Sequence, residues 1–238
     1  MKNFAFLFLM SFVGLACSED DKNPVSPPIV DNPAPIPTYK YLALGDSYTI
    51  GESVCSTCRF PVQLQDSIEN SIDAQVSTTI IAQTGWTTTN LKNAINAQQP
   101  GNDYDLVTLL IGVNNQFQHK PFSVYETEFP QLVSTAITAA KGDKNNLIVV
   151  SIPDYAFTPY GQSTSDPAAI SAEIDQYNAF AENYCIQNDI RFYNVTEITR
   201  MGLQNPALVA ADGLHPSELA YSNFVAVLRP AAILILED

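Results

Sequence analysis

Five short apolar segments suited to β-strands alternate with longer segments of helical spacing, and this alternation restricts the possible folds. The strand-like segments cover residues 40–44, 75–82, 104–111, 146–152 and 190–195. The helical segments cover residues 60–70, about 87–99, 124–140, 168–188 and 217–236. Because strands that alternate with helices form parallel sheets covered by helices, the sequence predicts an α/β fold. We expect a three-layer α/β/α sandwich with a mainly parallel sheet.

The start of the chain differs in composition from the rest. Residues 1–16 hold one early lysine and an apolar run, the pattern of a secretory signal peptide. Cys17 follows Leu15 and Ala16, which resembles the lipidation site of bacterial lipoproteins, although Gly14 stands where an aliphatic residue is usual. A plain cleaved signal is the alternative. Residues 17–38 are rich in proline, which favours an extended tether or a disordered leader over a helix.

These features predict an exported lipoprotein of the outer membrane or the cell surface. Its membrane contact would be a lipid anchor at Cys17, and residues 39–238 would form a single folded domain. Hydrophobic content of 46% is ordinary for such a domain. The net charge of −14 makes nucleic acid an unfavourable partner, because phosphate binding depends on Lys and Arg.

A candidate nucleophile follows the first predicted strand. Gly45, Asp46 and Ser47 come directly after this strand, where glycine permits a tight turn. A side chain at the carboxyl end of a parallel strand faces the crevice in which α/β proteins bind ligands. A serine hydroxyl is a weak nucleophile alone, so this function requires a base and oxyanion donors elsewhere. Without them, the tripeptide is a simple turn.

Two further strands also end at a glycine. Gly85 follows the second strand, and Gly112 follows the third, just before Asn114. Since the carboxyl ends of parallel strands share one edge of the sheet, Ser47, Gly85 and Asn114 could face the same bound group. A backbone N–H and a carboxamide N–H are suitable donors to an oxyanion.

The candidate base is one of only two histidines. His215 has Asp212 three residues upstream, close enough to accept a hydrogen bond from one ring nitrogen. Such a carboxylate fixes the tautomer and the orientation of a catalytic histidine. His119 has no acidic partner nearby, which indicates a surface loop residue or a substrate contact.

Together, these ordered motifs resemble the sequence blocks of the SGNH hydrolases, within the GDSL esterase and lipase group. The resemblance covers nearly all of residues 39–238 and implies a flavodoxin-like sheet. It implies a nucleophile, oxyanion donors, an orienting acid and a base at Ser47, Gly85, Asn114, Asp212 and His215, with Ser47 N–H as a further donor. The chemistry would need no metal and no organic cofactor. One departure is Asn115, where the family usually has aspartate, and we expect it to affect support of the loop.

The resemblance implies a serine ester hydrolase that works through an acyl-enzyme. Polar and aromatic residues in the loops near the site favour a short acyl ester of a carbohydrate or a similar polar alcohol. These residues are Thr49, Trp86, Asn115, Phe117, Tyr155 and Tyr160. The alternatives are a lysophospholipase or lipase-type esterase, and a non-catalytic surface binding protein with the same fold.

The loop after the candidate nucleophile contains Cys55 and Cys58, with two residues between them. In an exported protein, this spacing favours a small local disulfide that stiffens the loop beside Ser47. A thioredoxin-like redox pair is an alternative, although the expected strand-to-helix setting is missing. A zinc site would need more ligands than the chain supplies here.

Overall fold

The strands and helices occur in the predicted order in a computed structural model, which describes residues 35–238. The strands are β1 Thr38–Gly45, β2 Gln75–Ala82, β3 Leu106–Leu110, β4 Leu147–Val150 and β5 Arg191–Tyr193. The α-helices are α1 Ser47–Ile50, α2 Phe60–Ile72, α3 Thr88–Gln98, α4 Val113–Phe117, α5 Phe122–Ala139, α6 Pro159–Gln162, α7 Pro167–Asn188, α8 Thr196–Arg200 and α9 Glu218–Glu237. The predicted signal peptide and most of the predicted tether lie outside the described residues.

The five strands form one parallel sheet in the order β2-β1-β3-β4-β5. β2 lies on one side of β1, whereas β3, β4 and β5 follow one another on the other side. The direction in which strands are added therefore reverses between β1 and β3. In open sheets of this type, ligands bind outside the carboxyl ends of the strands at that reversal. The predicted α/β class with a flavodoxin-like parallel sheet is therefore confirmed.

The strand register places the ends of the three relevant strands at the same level. Gly45, the last residue of β1, lies opposite Ala82 of β2 on one side and Leu110 of β3 on the other. The loops that follow these strands therefore begin side by side at one edge of the sheet. This register brings three separate parts of the sequence to one crevice.

Helices cover both faces of the sheet. Helices α2 and α9 pack against each other in one layer, whereas α3, α5 and α7 form the other. By length and composition, α9 could cross a membrane, and half of its apolar stretch is buried inside the structure. Tyr221, Phe224 and Leu228 of this helix are fully buried, as in a core helix.

The fourth strand ends earlier than the predicted boundary at residue 152. The side chain of Asn178, on α7, forms hydrogen bonds with both the backbone N–H and the backbone carbonyl of Ile152. Its Oδ1 accepts a hydrogen bond from the N–H at 2.7 Å, and its Nδ2 donates to the carbonyl at 3.0 Å. A side chain thus replaces the strand partner that the apolar pattern led us to expect.

Candidate active site

Ser47 lies at the start of a one-turn helix, where we expected a tight turn without helical structure. A Cβ on Gly45 would lie 2.1 Å from Thr49 Oγ1 and 2.5 Å from the Leu110 carbonyl oxygen, so only glycine lets α1 fold back here. Asp46 caps the helix, and its Oδ1 accepts a hydrogen bond from the Tyr48 N–H at 3.0 Å. As the first residue of α1, Ser47 has an N–H without a partner inside the helix.

Asp46 is fully buried directly beside Ser47. Desolvation raises the pKa of its carboxyl to about 7, against smaller opposing effects from backbone hydrogen bonds. Its Oδ2 has no hydrogen-bond partner among the described residues. The Asp46 carboxyl therefore supports the turn that carries Ser47, although its burial disfavours the ionised form of the carboxyl.

Asp212 and His215 form a close pair in the loop before α9. Asp212 Oδ2 lies 2.6 Å from His215 Nδ1, and Asp212 Oδ1 accepts the N–H groups of Leu214 and His215 at 2.9 and 3.0 Å. Partial burial alone would raise the pKa of Asp212, but hydrogen bonds from Ser53, His215 and the backbone outweigh it and hold this pKa well below its usual range. Asp212 is therefore ionised at neutral pH.

The ionised carboxylate determines the tautomer of His215. Because Asp212 can only accept hydrogen bonds, the proton of the neutral ring lies on Nδ1 and leaves Nε2 with a free lone pair. The ring is nearly buried and contacts the ring of Tyr48 edge-on, with 5.9 Å between centroids. This environment suits Nε2 to take a proton from a nucleophile.

Ser53 is a contact of this pair that the sequence did not indicate. Its Oγ donates to Asp212 Oδ2 at 2.6 Å, across 159 positions of the chain. Ser53 has a backbone φ of +65°, a conformation that most side chains disfavour. The predicted disulfide between Cys55 and Cys58 is formed in the same loop. The loop after α1 therefore supports the Asp212 carboxylate directly.

Gly85 lies in a turn at the end of β2. The Trp86 N–H closes this turn on the Gln83 carbonyl at 3.2 Å, and Gly85 adopts a φ of +83°, which favours glycine. Nothing lies within 4 Å of the position that a Cβ would occupy. The positive φ, and not a lack of space, therefore favours glycine at position 85. Gln118 Nε2 donates to the Gly85 carbonyl at 2.8 Å and fixes the turn to the segment after α4.

Asn114 carries an unpartnered buried donor. Its side chain is on α4, just after β3, and the residue is only 8% exposed. The Nδ2 atom is buried and has no hydrogen-bond partner among the described residues. Leaving such a group unpaired costs about 1–3 kcal/mol. An unpaired donor of this kind requires an explanation, and a ligand group that accepts its hydrogen bond provides one.

The predicted site residues of all three strand ends line one cavity of about 160 Å³. Ser47, Gly85, Asn114 and His215 contribute to it, with apolar walls that include Phe117 and Leu214. Within the described residues, Ser47 Oγ and His215 make no direct hydrogen bond. Catalytic hydrogen bonds often tighten only in the substrate complex. The cavity therefore brings a serine hydroxyl, an imidazole ring, a carboxamide and the Gly85 turn around one small volume.

Some residues that we expected to line the pocket do not. Thr49 is fully buried beneath Gly45, and Trp86 packs against the hydrophobic core. Asn115 is fully buried, accepts the Thr88 N–H at 2.9 Å and donates to Thr88 Oγ1 at 2.8 Å. Asn115 therefore fastens α4 to the start of α3, and its predicted contact with the pocket is wrong.

The other three predicted aromatic residues are closer to the site. Phe117 and Tyr155 line the cavity at Ser47, and Tyr160 lies one cavity further along with His119. His119 is exposed in the loop after α4, as the sequence suggested. No group of three or more His, Cys, Asp or Glu side chains in residues 35–238 is arranged to hold a metal ion.

Comparisons with known proteins agree with this arrangement. Residues 43–222 match the GDSL-like lipase/acylhydrolase family. This chain therefore belongs to that family and is an SGNH-type ester hydrolase. No curated protein matches the sequence.

Solved structures of similar fold include several esterases. An acetyl xylan esterase from Geobacillus stearothermophilus, in a variant form, has a TM-score of 0.62 and 18% identity, over 83% of this chain and 97% of that one. A psychrotrophic esterase from Pseudoalteromonas has a TM-score of 0.61 and 15% identity, over 84% and 100%. A member of the lipolytic G-D-S-L family from Veillonella parvula has a TM-score of 0.60 and 19% identity, over 83% and 98%. At these identities, the likeness shows the fold alone.

Proposed function

We propose that this chain removes short acyl groups from carbohydrate esters through an acyl-enzyme on Ser47. The observation that carries the proposal is the buried, unpartnered Nδ2 of Asn114 in the cavity that Ser47 and His215 line. An ester carbonyl whose oxygen gains negative charge would supply the missing acceptor. The oriented pair of Asp212 and His215 supplies the base that a serine nucleophile requires.

The reaction proceeds in two acyl transfers. Ser47 Oγ bonds to the ester carbonyl carbon while its proton moves to His215 Nε2. The N–H groups of Ser47 and Gly85 and the amide of Asn114 stabilise the oxyanion. When the tetrahedral intermediate collapses, the bond to the alcohol oxygen breaks and His215 protonates that oxygen. Water then attacks the acyl-enzyme with His215 again as base, the bond between the acyl carbon and Ser47 Oγ breaks, and Ser47 regains its proton from His215 as the carboxylic acid leaves.

The size of the cavity supports a short acyl group. Its volume of about 160 Å³ is small, since pockets for drug-sized ligands hold roughly 300–1,000 Å³. The fold is shared with an acetyl xylan esterase, which is consistent with an acetyl group on a polysaccharide. The alternative substrate is a long-chain or lysophospholipid ester.

A series of p-nitrophenyl esters tests this proposal. We expect kcat/KM to be highest for acetyl or propionyl esters and to fall with each longer chain, because the cavity cannot enclose them. Acetylated xylo-oligosaccharides should also be deacetylated. A maximum at octanoyl or beyond, or efficient cleavage of lysophosphatidylcholine, would reverse the assignment in favour of a lipase-type enzyme.

Replacing Asn114 by alanine should lower kcat by about 10²–10³-fold and leave KM nearly unchanged, because its hydrogen bond strengthens only as the oxyanion forms. Steady-state kinetics on p-nitrophenyl acetate measure both constants. Asn102→Ala, at an exposed position away from the cavity, is the matched control and should match wild type. If Asn114→Ala raised only KM, its amide would bind the ground-state substrate instead of the transition state.

Replacing Ser53 by alanine should lower kcat by about tenfold, since a charge-assisted hydrogen bond to Asp212 is lost and part of that carboxylate is exposed to water. Ser53→Gly removes the same hydroxyl but suits the positive φ, so it separates the loss of the hydrogen bond from backbone strain. Both variants should show the same fall on p-nitrophenyl acetate. Recovery of full activity in Ser53→Gly would mean that strain, and not the hydroxyl, accounts for the effect.

We also propose export and lipid anchoring at Cys17. The support is the amino-terminal sequence: a short apolar segment, then Leu15, Ala16 and Cys17, then a proline-rich stretch. An anchored enzyme of this kind, on the outer membrane or the cell surface, would act on soluble glycans.

A further inference from the structure

A second and larger cavity adjoins the one at Ser47. It has a volume of about 440 Å³ and lies between α4, α6 and the start of α7. Phe117 and Tyr155 line both cavities, so the two lie side by side. The Tyr160 N–H donates to the Gly213 carbonyl at 2.9 Å, which ties α6 to the loop that carries His215. The second cavity is therefore held in fixed relation to the catalytic residues.

Exposed aromatic rings form one side of this cavity. Phe117 and Tyr160 are 39% and 40% exposed, so both rings present part of their surface to solvent. Their ring centroids are 6.0 Å apart, and Phe117 also contacts Tyr155 at 5.7 Å. Such a surface offers flat apolar faces with a phenol at the edge. The C–H faces of sugar rings pack on surfaces of this kind.

Hydrogen-bonding groups line the same cavity. Gln116 accepts a hydrogen bond from Tyr155 OH at 2.8 Å, and its Nε2 donates to Glu173 Oε2 at 2.7 Å. Glu173, Asp166 and the exposed His119 line the same space. Glu173 Oε1 has no hydrogen bond to any described residue, so it remains available to a ligand hydroxyl. Several hydrogen-bond acceptors and donors thus share this cavity with the aromatic rings.

The charges that line the cavity restrict the classes of ligand that it can bind. Asp166 and Glu173 are acidic, and among the described residues no lysine or arginine lines it. A phosphate or another anion would find no cationic partner here. An alkyl chain would cover these polar groups without satisfying them, which costs free energy for each one. A neutral polyol with apolar ring faces can pack on the aromatic rings and also hydrogen-bond to the polar groups.

We propose that this second cavity is the alcohol-side subsite of the enzyme and binds neutral sugar residues that adjoin the acylated one. The inference rests on the proposed esterase function and specifies its substrate as an oligosaccharide. During acyl transfer, the leaving sugar hydroxyl would lie at His215, with the rest of the glycan along Phe117 and Tyr160. Its volume, nearly three times that of the cavity at Ser47, suits this longer part of the substrate.

Binding to a protein that cannot turn over tests the subsite independently of catalysis. Xylotetraose, cellotetraose and mannotetraose are titrated calorimetrically into Ser47→Ala, Ser47→Ala with Tyr160→Ala, and Ser47→Ala with Tyr160→Phe. We expect saturable binding of at least one sugar, weakened about tenfold by loss of the ring. The phenylalanine variant, which keeps the ring face, should retain most of the affinity. Because Tyr160 is exposed, thermal unfolding should be unchanged in both variants.

Kinetics on the single variants separate this proposal from the esterase function. Tyr160→Ala should lower kcat/KM about tenfold on acetylated xylotetraose, with p-nitrophenyl acetate hydrolysed as by wild type. Failure of all three sugars to bind, or binding that is insensitive to Tyr160→Ala, overturns the subsite even if small esters are hydrolysed. Tighter binding of lysophosphatidylcholine than of any sugar also overturns it. Absence of all ester hydrolysis by wild type would instead overturn the esterase function.

Discussion

Ser47→Ala is expected to lower kcat on p-nitrophenyl acetate by about 10⁴-fold or more. The reason is that Ser47 Oγ is the atom that would bond to the acyl carbon, and alanine leaves water as the only nucleophile. The oxyanion donors and His215 remain in the cavity, so a small residual rate over the uncatalysed reaction should persist. Steady-state kinetics at high enzyme concentration would measure both the fall in kcat and the residual rate.

The fold should survive this change, because only one oxygen atom is removed from a short helix. Thermal unfolding of Ser47→Ala should therefore match wild type. Ser134→Ala, at an exposed position on α5, is the control for loss of a hydroxyl and should keep full activity. Retention of more than a tenth of wild-type activity by Ser47→Ala would show that the nucleophile is another group.

Asp212→Asn is expected to lower kcat by about 10⁴-fold at neutral pH. The amide keeps the size and most of the backbone contacts of the carboxylate. Its NH₂ group, however, can donate a hydrogen bond to His215 Nδ1, which favours the tautomer with the proton on Nε2 and blocks that atom as a base. It also removes the negative charge that stabilises the protonated ring. The effect should fall on kcat and leave KM similar.

Asp66→Asn, at an exposed position on α2, controls for the loss of an acidic charge. It should have wild-type kinetics. If Asp212→Asn were nearly silent while His215→Ala abolished activity, the histidine would be oriented by another group. Ser53→Ala and Asp212→Asn act on the same carboxylate, so their combined variant should be no worse than Asp212→Asn alone.

The sheet was predictable because its signal is local. The segment at residues 75–82 matches β2 at both ends, and its enrichment in β-branched and apolar residues needs no tertiary information. The end of β4 was not predictable, since Asn178 replaces a strand partner from a helix that comes later in the chain. The one-turn helix α1 was missed for a different reason: a four-residue segment is too short to show helical periodicity.

The candidate site was predictable where its residues are close in sequence or follow a strand. Asp212 and His215 are three positions apart, and their hydrogen bond is present as expected. Ser53 and Gln118 contact the site across long sequence separations, and no local pattern reports such contacts. The catalytic roles of the site residues stay predictions.

Burial explains the errors about pocket residues. Thr49 and Asn115 are polar and adjoin motif residues, which made them candidates for substrate contact. Both point into the protein: Thr49 fills the space beside Gly45, and Asn115 fastens α4 to Thr88 at the start of α3. On a short helix, neighbouring residues point in different directions, so adjacency to Asn114 did not place Asn115 in the cavity.

The central claim, that Ser47 is an activated nucleophile, is tested most directly by covalent labelling with a fluorophosphonate. The reagent reacts with serines that are activated by a base, and intact and peptide mass spectrometry locate the adduct. We predict one adduct per wild-type chain, on Ser47, and none on Ser47→Ala or His215→Ala. Absence of labelling in the wild type, or an adduct on a different residue, would contradict the account.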